Sequence, residues 1–372
     1  MEETTGTKEP EAERSLPRLV LDDIRQTDLR GSLRRDLRDL YRFYLSEDRR
    51  AELAGMGTMR GIVWFWIWLV RSLYLKLTPA RRVTLLIALV FLSMNRIQWT
   101  MGTAEVSIHL GFVGVVLVFI VLMLELKDKL LAHDEIEVAR QVQLALLPRS
   151  HPTVGGWSIW SHTQPANDVG GDLVDYLDLD GRRVGIVLGD VAGKGLGAAL
   201  LMSKLQATLR ALAPAAISLG DLGNRLNTIL VRDGLENRFA TLFYFELEPG
   251  GSVVRYLNAG HNPPLLVARN GEIRLLRAES PPLGMLAESR YTERTVDLGP
   301  RDMLIVYSDG VTEARNDGDM EFGDERLRAV AASLKGADAT SAGHGVIEAV
   351  QAFIGEVRPH DDLSVVVVAR TL

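Results

Sequence analysis

The chain has 372 residues, long enough for a catalytic domain of ordinary size plus one or two smaller pieces. Its 42 Lys and Arg against 48 Asp and Glu leave a net charge of −6, which gives no whole-chain attraction for nucleic acid; a phosphoanion substrate would need local positive charge such as metal. Cysteine is absent, so disulfides, thiolate zinc sites and cysteine-based phosphatase chemistry are excluded.

Residues 1–27 begin MEETTGTKEPEAER, polar and acidic where a secretory signal needs a basic start and an apolar run, and are expected to form a disordered tail. Over 28–60, Leu29, Leu33, Leu37, Leu40 and Tyr44 recur at helical spacing among Arg30, Arg34, Arg35, Arg38 and Arg42. This predicts a basic amphipathic helix, lying on a membrane surface or packed on its neighbours. Residues 61–77 crowd Trp64, Trp66 and Trp68 into an apolar run of about nine residues, short of the roughly 20 that a span needs. An interfacial helix is expected there, with a first span as the alternative.

Spans are expected over about 83–100 and 106–126, the second without a charge at its centre. Arg81 and Arg82 before the first and Lys127 and Lys129 after the second place both flanks in the cytoplasm, which makes the pair a transmembrane helical hairpin. His109, at the outer end of the second span, reads as a wetted or hydrogen-bonded histidine. Residues 127–148 turn to a polar and apolar mixture in which Leu131, Val138, Val142 and Ala145 fall near a heptad seam. This linker helix either pairs in a homodimer as a coiled coil or docks on the domain that follows.

The soluble domain is expected over 149–372. Strand-like runs at 173–179 and 184–188 flank Asp180-Gly181, a hairpin-turn dipeptide that brings Asp172 and Asp190 to the same open end. Helices are expected at 196–213 and 218–231, the second capped by Ser218, and again at 325–334 and 342–356. Strands are expected at 239–246, 253–257, 265–268, 303–307 and 364–369. The order predicts an α+β antiparallel β-sandwich flanked by helices. Asp309 follows one strand and His360-Asp361-Asp362 precedes another, so these acids are expected to join Asp172 and Asp190 at one rim of a sheet. Oxygen-only ligation points to a hard cation, Mg²⁺ or Mn²⁺. GDVAGKG is not a P-loop: Leu188 stands at its first glycine position and Gly195, not Ser or Thr, follows Lys194. A sharp backbone turn that offers the Val191 carbonyl as a ligand fits these glycines better.

The blocks VARQVQLALLP, GGDLVDY, GDVAGKGLGAAL, NAGHNPPLL, LIVYSDGVTEA, FGDERL and HDDLSVVVV, spread over residues 134–372, resemble the PPM-type metal-dependent serine/threonine phosphatases of the bacterial SpoIIE-like and RsbU-like branch. The resemblance implies the PPM phosphatase fold and two Mn²⁺ or Mg²⁺ ions. Asp190 would bridge both ions, Asp172 and the Val191 carbonyl would serve one, and Asp309 and Asp361, or Asp362 in its place, the other. It also implies hydrolysis of phosphoserine or phosphothreonine by metal-activated water, with no covalent nucleophile and His261 as a turn or packing residue. The partners it implies are a phosphorylated regulator, a STAS-type antagonist of an anti-sigma factor, while the apolar spans imply the lipid bilayer of the bacterial cytoplasmic membrane. A catalytically weak membrane-tethered scaffold is the alternative, and a metal-dependent nucleotide cyclase or hydrolase is disfavoured by the glycine spacing. The linker helix is expected to couple the membrane region, or a dimer interface, to the site through helix 196–213.

Overall fold

The computed structural model describes residues 55–94, 97–101, 104–108, 110–233 and 238–371, together with Arg49, Glu52 and Leu53. The expected tail, the basic helix up to residue 48 and His109 lie outside the described residues. The chain divides into two compact units, Met1–Asp128 and Lys129–Leu372.

In the first unit, helices α1 (Thr58–Lys76) and α2 (Pro79–Ser93) are separated by a short break. Pro79 starts α2, where its missing N–H has no intrahelical partner to lose. Strands β1 (Ile97–Met101) and β2 (Ala104–Ile108) pair antiparallel, and α3 runs from Leu110 to Leu146. The boundaries differ from expectation in two places. The helix expected over about 83–100 stops at Ser93, because Ile97, Trp99, Thr100, Val106 and Ile108 are β-branched or aromatic residues that favour extended backbone. The span at 106–126 and the linker at 127–148 fall largely on one unbroken 37-residue helix, since no proline or glycine interrupts the chain between Gly114 and Pro148. Arg81 of α2 donates to Glu125 at 2.7 Å and Asp128 at 2.6 Å in α3. Gly114 lets the same two helices touch, for a Cβ there would meet the Ala88 carbonyl at 2.8 Å. Among the described residues α3 alone is long and apolar enough to cross a membrane.

The second unit is a sandwich of two five-stranded antiparallel sheets. One has the order β10 (Arg294–Asp297), β7 (Val253–Ala259), β6 (Ala240–Leu247), β5 (Val184–Val191), β4 (Asp172–Asp178). The other has the order β3 (Trp157–Gln164), β12 (Leu363–Arg370), β11 (Met303–Tyr307), β8 (Leu265–Val267), β9 (Ile273–Leu275). Val174, Ile186, Leu188, Phe243, Phe245, Val306, Val366 and Val368 fill the space between the sheets. The outer face of the first sheet is covered by α4 (Leu196–Leu212) and α5 (Leu219–Asp233), whose Leu219, Leu222, Leu226 and Leu230 form a helical stripe. A short helix, α6 (Asp309–Thr312), follows β11, and α7 (Gly323–Ser333) and α8 (Ala339–Ile354) cover the second sheet. With both faces covered, the central strands β5 and β12 read as continuous apolar runs. Ser218 caps α5, its Oγ accepting the Asp221 N–H at 3.1 Å, as the sequence predicts. Strands β3, β9 and β10 and helix α6 are additions to the expected elements.

Candidate metal centre

The β4–β5 hairpin sets the first two acids. Its register pairs Asp178 with Val184 at the closed end and Asp172 with Asp190 at the open end, so the two carboxylates are direct cross-strand partners. The connection is five residues long, not the two-residue turn that Asp-Gly favours. Asp180 Oδ1 accepts the Arg182 and Arg183 N–H groups, Asp178 Oδ1 accepts that of Gly181, and Gly181 takes φ 69°, a left-handed conformation suited to glycine.

The other acids come from the second sheet. Tyr307 of β11 pairs with Val365 of β12, so the chain leaving β11 at Asp309 meets the chain entering β12 at Asp361 and Asp362. The expectation of one sheet rim is therefore corrected: the five acids meet across the open edge of the sandwich, two from one sheet and three from the other. Gly310 makes the meeting possible, since a Cβ there would overlap the Asp362 carbonyl oxygen.

Clustering raises the cost of ionisation. Burial, then the charges of Asp190 and Asp362, hold the Asp172 carboxyl well above the usual carboxylate range. Burial, then the charges of Asp309, Asp361 and Asp362, push Asp190 up to about 7. Asp309 is raised by burial and then by Asp361 and Glu313. Asp362 is raised by burial, although backbone N–H groups oppose the shift.

Asp361 and Asp362 have different surroundings. Asp362 is buried, its Oδ1 accepting the Ala166 N–H at 2.8 Å and its Oδ2 those of Gly171 at 2.6 Å and Asp172 at 3.4 Å. Asp361 keeps 37% of its side chain exposed and pairs with Lys194 Nζ at 2.8 Å. Asp172 Oδ2 is buried with no hydrogen-bond partner, and the Ser308 and Ser364 hydroxyls, close enough to favour the ionised carboxyl, leave that oxygen free. A Cβ on Gly171 would stand 3.1 Å from the Val191 carbonyl oxygen and 3.3 Å from Asp190 Oδ1, so both oxygens border the space that this glycine leaves open. An orphaned carboxylate oxygen, a strand-end carbonyl and clustered acids form a donor set suited to a hard divalent cation. Among the described residues no three acidic or histidine side chains are drawn together tightly enough to hold an ion as they stand. Lys194 holds Asp361, and backbone N–H groups hold Asp362.

Several residues that position the site lie outside the acid motifs. Gln143 of α3 bonds the Gly170 backbone, and Gln206 of α4 donates to the Leu146 carbonyl at 2.9 Å. Thr241 is the register partner of Asp190 on its other side and lies 2.8 Å from His261 Nδ1. His261 is buried, and burial pushes its pKa down to about 3.

Two facing antiparallel sheets between helical layers, with acids at one edge, form the architecture of the PP2C-type phosphatase domains. The SiaA-PP2C domain of Pseudomonas aeruginosa matches it with a TM-score of 0.57 at 18% identity, covering 65% of this chain and 98% of that domain. Residues 180–371 match the family described as stage II sporulation protein E (SpoIIE), and the chain belongs to that family. Protein IcfG of Synechocystis sp. is 32% identical over 220 residues, 52% of this chain and 35% of that protein. The phosphoserine phosphatase RsbP of Bacillus subtilis is 29% identical over 191 residues, 50% of this chain and 47% of that protein. The chain thus spans half or less of the length of these two relatives.

Proposed function

We propose that the chain is a membrane-anchored, metal-dependent protein phosphatase that hydrolyses phosphoserine or phosphothreonine on a regulatory protein, with a phosphorylated STAS-type anti-sigma-factor antagonist as the expected substrate. The observation that carries this reading is the meeting of Asp172, Asp190, Asp309, Asp361 and Asp362 at one sandwich edge, with the Asp172 Oδ2 unpartnered. Asp190 would hold both of two Mn²⁺ or Mg²⁺ ions, Asp172 and the Val191 carbonyl one of them, and Asp309 and Asp361 the other, with Asp362 as the alternative. Such ions, when bound, supply an acidified water and positive charge against the phosphoryl oxygens. The raised Asp172 and Asp190 pKa values favour this use, because a dication relieves the repulsion that burial enforces.

The reading assigns no covalent nucleophile, and the two serines nearest Asp172 have other partners. The Ser308 hydroxyl donates to the Asp362 carbonyl and accepts the Ser364 N–H, and Ser364 Oγ lies 2.7 Å from Thr163 Oγ1, so both serines are engaged in joining strands. His261, kept neutral by burial and bonded to Thr241, holds the strand beside Asp190 and is not a proton donor to a leaving group.

Membrane anchoring is supported by α3 and by the apolar surface that this unit exposes, including Leu86, Val90, Phe112 and Phe119. The positive-inside bias puts the catalytic domain on the cytoplasmic side. Leu131, Val138 and Val142 remain exposed on α3, which supports a homodimer through that helix.

The test is release of phosphate from a phosphoserine peptide by the full-length chain in detergent micelles. Turnover is expected with Mn²⁺ or Mg²⁺ alone and is lost in Asp190→Asn; undiminished turnover in excess chelator would overturn the metal-dependent reading. One observation favours the scaffold alternative: Lys194 pairs with Asp361, a carboxylate that the two-ion reading needs as a ligand. Calorimetric titration with Mn²⁺ separates the two, since a scaffold takes up no stoichiometric metal.

A further inference from the structure

Two cations border the loop that joins β5 to α4, and they are held differently. Lys194 is engaged, with Nζ 2.8 Å from Asp361 Oδ2 and 2.7 Å from the His360 carbonyl. Arg238 stands just before β6, half-buried, and its hydrogen bond is a long one, 3.4 Å to the Ala192 carbonyl. Among the described residues no carboxylate pairs with it. Its guanidinium rests on two glycines of the loop: a Cβ on Gly193 would lie 2.7 Å from Nη1, and one on Gly197 2.9 Å from Nη2. The Ala192 N–H donates to the Phe239 carbonyl at 2.9 Å and Asp190 pairs with Thr241, which fixes this end of β6 beside the acids.

A half-buried guanidinium gives up hydration, and a structural arginine recovers that loss through a carboxylate or several carbonyls. Among the described residues Arg238 makes one long bond. It lies on the loop that follows the Asp190 strand, at the start of the strand whose Thr241 is the register partner of Asp190, so it is placed for an anion that arrives at this edge, and a fork of N–H donors suits a phosphoryl group. We propose that Arg238 binds a phosphoryl oxygen of the substrate and orients the phosphomonoester at the metal centre. The inference rests on the phosphatase reading and adds a residue that the metal ligands do not require.

The experiment uses the full-length chain in detergent micelles, loaded with Mg²⁺, and measures calorimetric binding of inorganic phosphate together with KM for p-nitrophenyl phosphate. Arg238→Ala is expected to weaken phosphate binding and raise KM by about ten-fold or more, the loss of one charge-assisted hydrogen bond, with Mg²⁺ affinity and thermal midpoint unchanged. Arg238→Lys is expected to recover part of the loss, because it keeps the charge without the fork. Gly197→Ala, which crowds the guanidinium while favouring the helix, is expected to shift phosphate affinity in the same direction. Phosphate affinity within two-fold of the parent in Arg238→Ala, or Mg²⁺ affinity that falls in step with it, overturns the inference. A parent chain that binds phosphate through Arg238 but turns over no phosphomonoester overturns the phosphatase reading alone.

Discussion

Gln143 grips Gly170 by both ends of its amide: Oε1 accepts the Gly170 N–H at 3.0 Å and Nε2 donates to the Gly170 carbonyl at 2.7 Å. The side chain is buried, and Gly170 stands two residues before Asp172, so the last turns of α3 fix the approach to the first acid. Arg210 of α4, paired with Asp175 at 2.6 Å, also donates to the Leu146 carbonyl. Gln143→Ala leaves a buried donor and acceptor unpaired, a loss of about 1–3 kcal/mol, and is expected to lower the thermal midpoint by on the order of 5 °C. Mn²⁺ uptake should weaken with it. Scanning calorimetry and metal titration check both; an unchanged pair of values would show that α3 merely lies against the domain.

The metal-free chain should lose stability as pH rises toward neutrality. Asp190 has a folded pKa of about 7 against an unfolded value near 4. Below the unfolded pKa both states hold the proton and its stabilising contribution is complete. As pH climbs, the unfolded chain releases the proton first, and the contribution is gone once pH passes through the folded value. Asp172, Asp309 and Asp362 are shifted the same way and act in the same sense. Asp180, drawn down to about 2 by the Arg183 backbone N–H and guanidinium, works oppositely but in a more acidic window. Urea unfolding between pH 4 and 8 in chelator should therefore show falling stability, and saturating Mn²⁺ should reverse the slope. A slope of the same sign and size with metal would break the link to these acids.

Much of this arrangement was legible from residue order. That Asp172 and Asp190 share one open end follows from a hairpin about Asp180-Gly181, but their direct pairing does not: a two-residue turn there would pair Asp172 with Gly189, and the five-residue connection shifts the register by one to bring Asp172 opposite Asp190. Asp309 and Asp361 were legible as strand-end acids beside apolar runs that a covered sheet requires. That they belong to a different sheet from Asp190 was not, since strand periodicity carries no information on sheet membership. Strand β3, WSIWSHTQ, lacks the strict alternation that marks a strand in sequence, although it pairs with β12 along its whole length. The roles of Gln143 and Arg238 are not legible, because they rest on contacts with backbone far away in sequence, at Gly170, Gly193 and Gly197.

Gly310 tests the junction of the two sheets. It is buried, and a methyl there would collide with the carbonyl oxygen of Asp362, a backbone atom that cannot swing away. Gly310→Ala is expected to separate the chain leaving β11 from the chain entering β12, at a cost of about 1–3 kcal/mol of overpacking strain. Circular dichroism should show a lower thermal midpoint, and metal titration a weaker Mn²⁺ affinity. A midpoint equal to that of the parent would mean that the edge yields without strain.

Asp361 and Asp362 should respond in opposite ways to neutral substitution. Asp362 accepts from the Ala166, Gly171 and Asp172 backbone N–H groups, all drawn to a buried carboxylate. Asp362→Ala would strand those donors at about 1–3 kcal/mol each, which together is a large part of the 5–15 kcal/mol that holds a typical domain. Asp361 makes an exposed pair with Lys194, worth about 0–1 kcal/mol. Asp361→Asn is therefore expected to leave the thermal midpoint within a few degrees while lowering Mn²⁺ affinity, whereas Asp362→Ala lowers the midpoint first and metal affinity only as the fold loosens. Thermal unfolding in chelator, paired with Mn²⁺ titration well below the midpoint, separates the two effects. Should Asp361→Asn bind Mn²⁺ as tightly as the parent, Asp362 would take over as the ligand at this position, and its backbone hydrogen bonds would have to yield when metal binds.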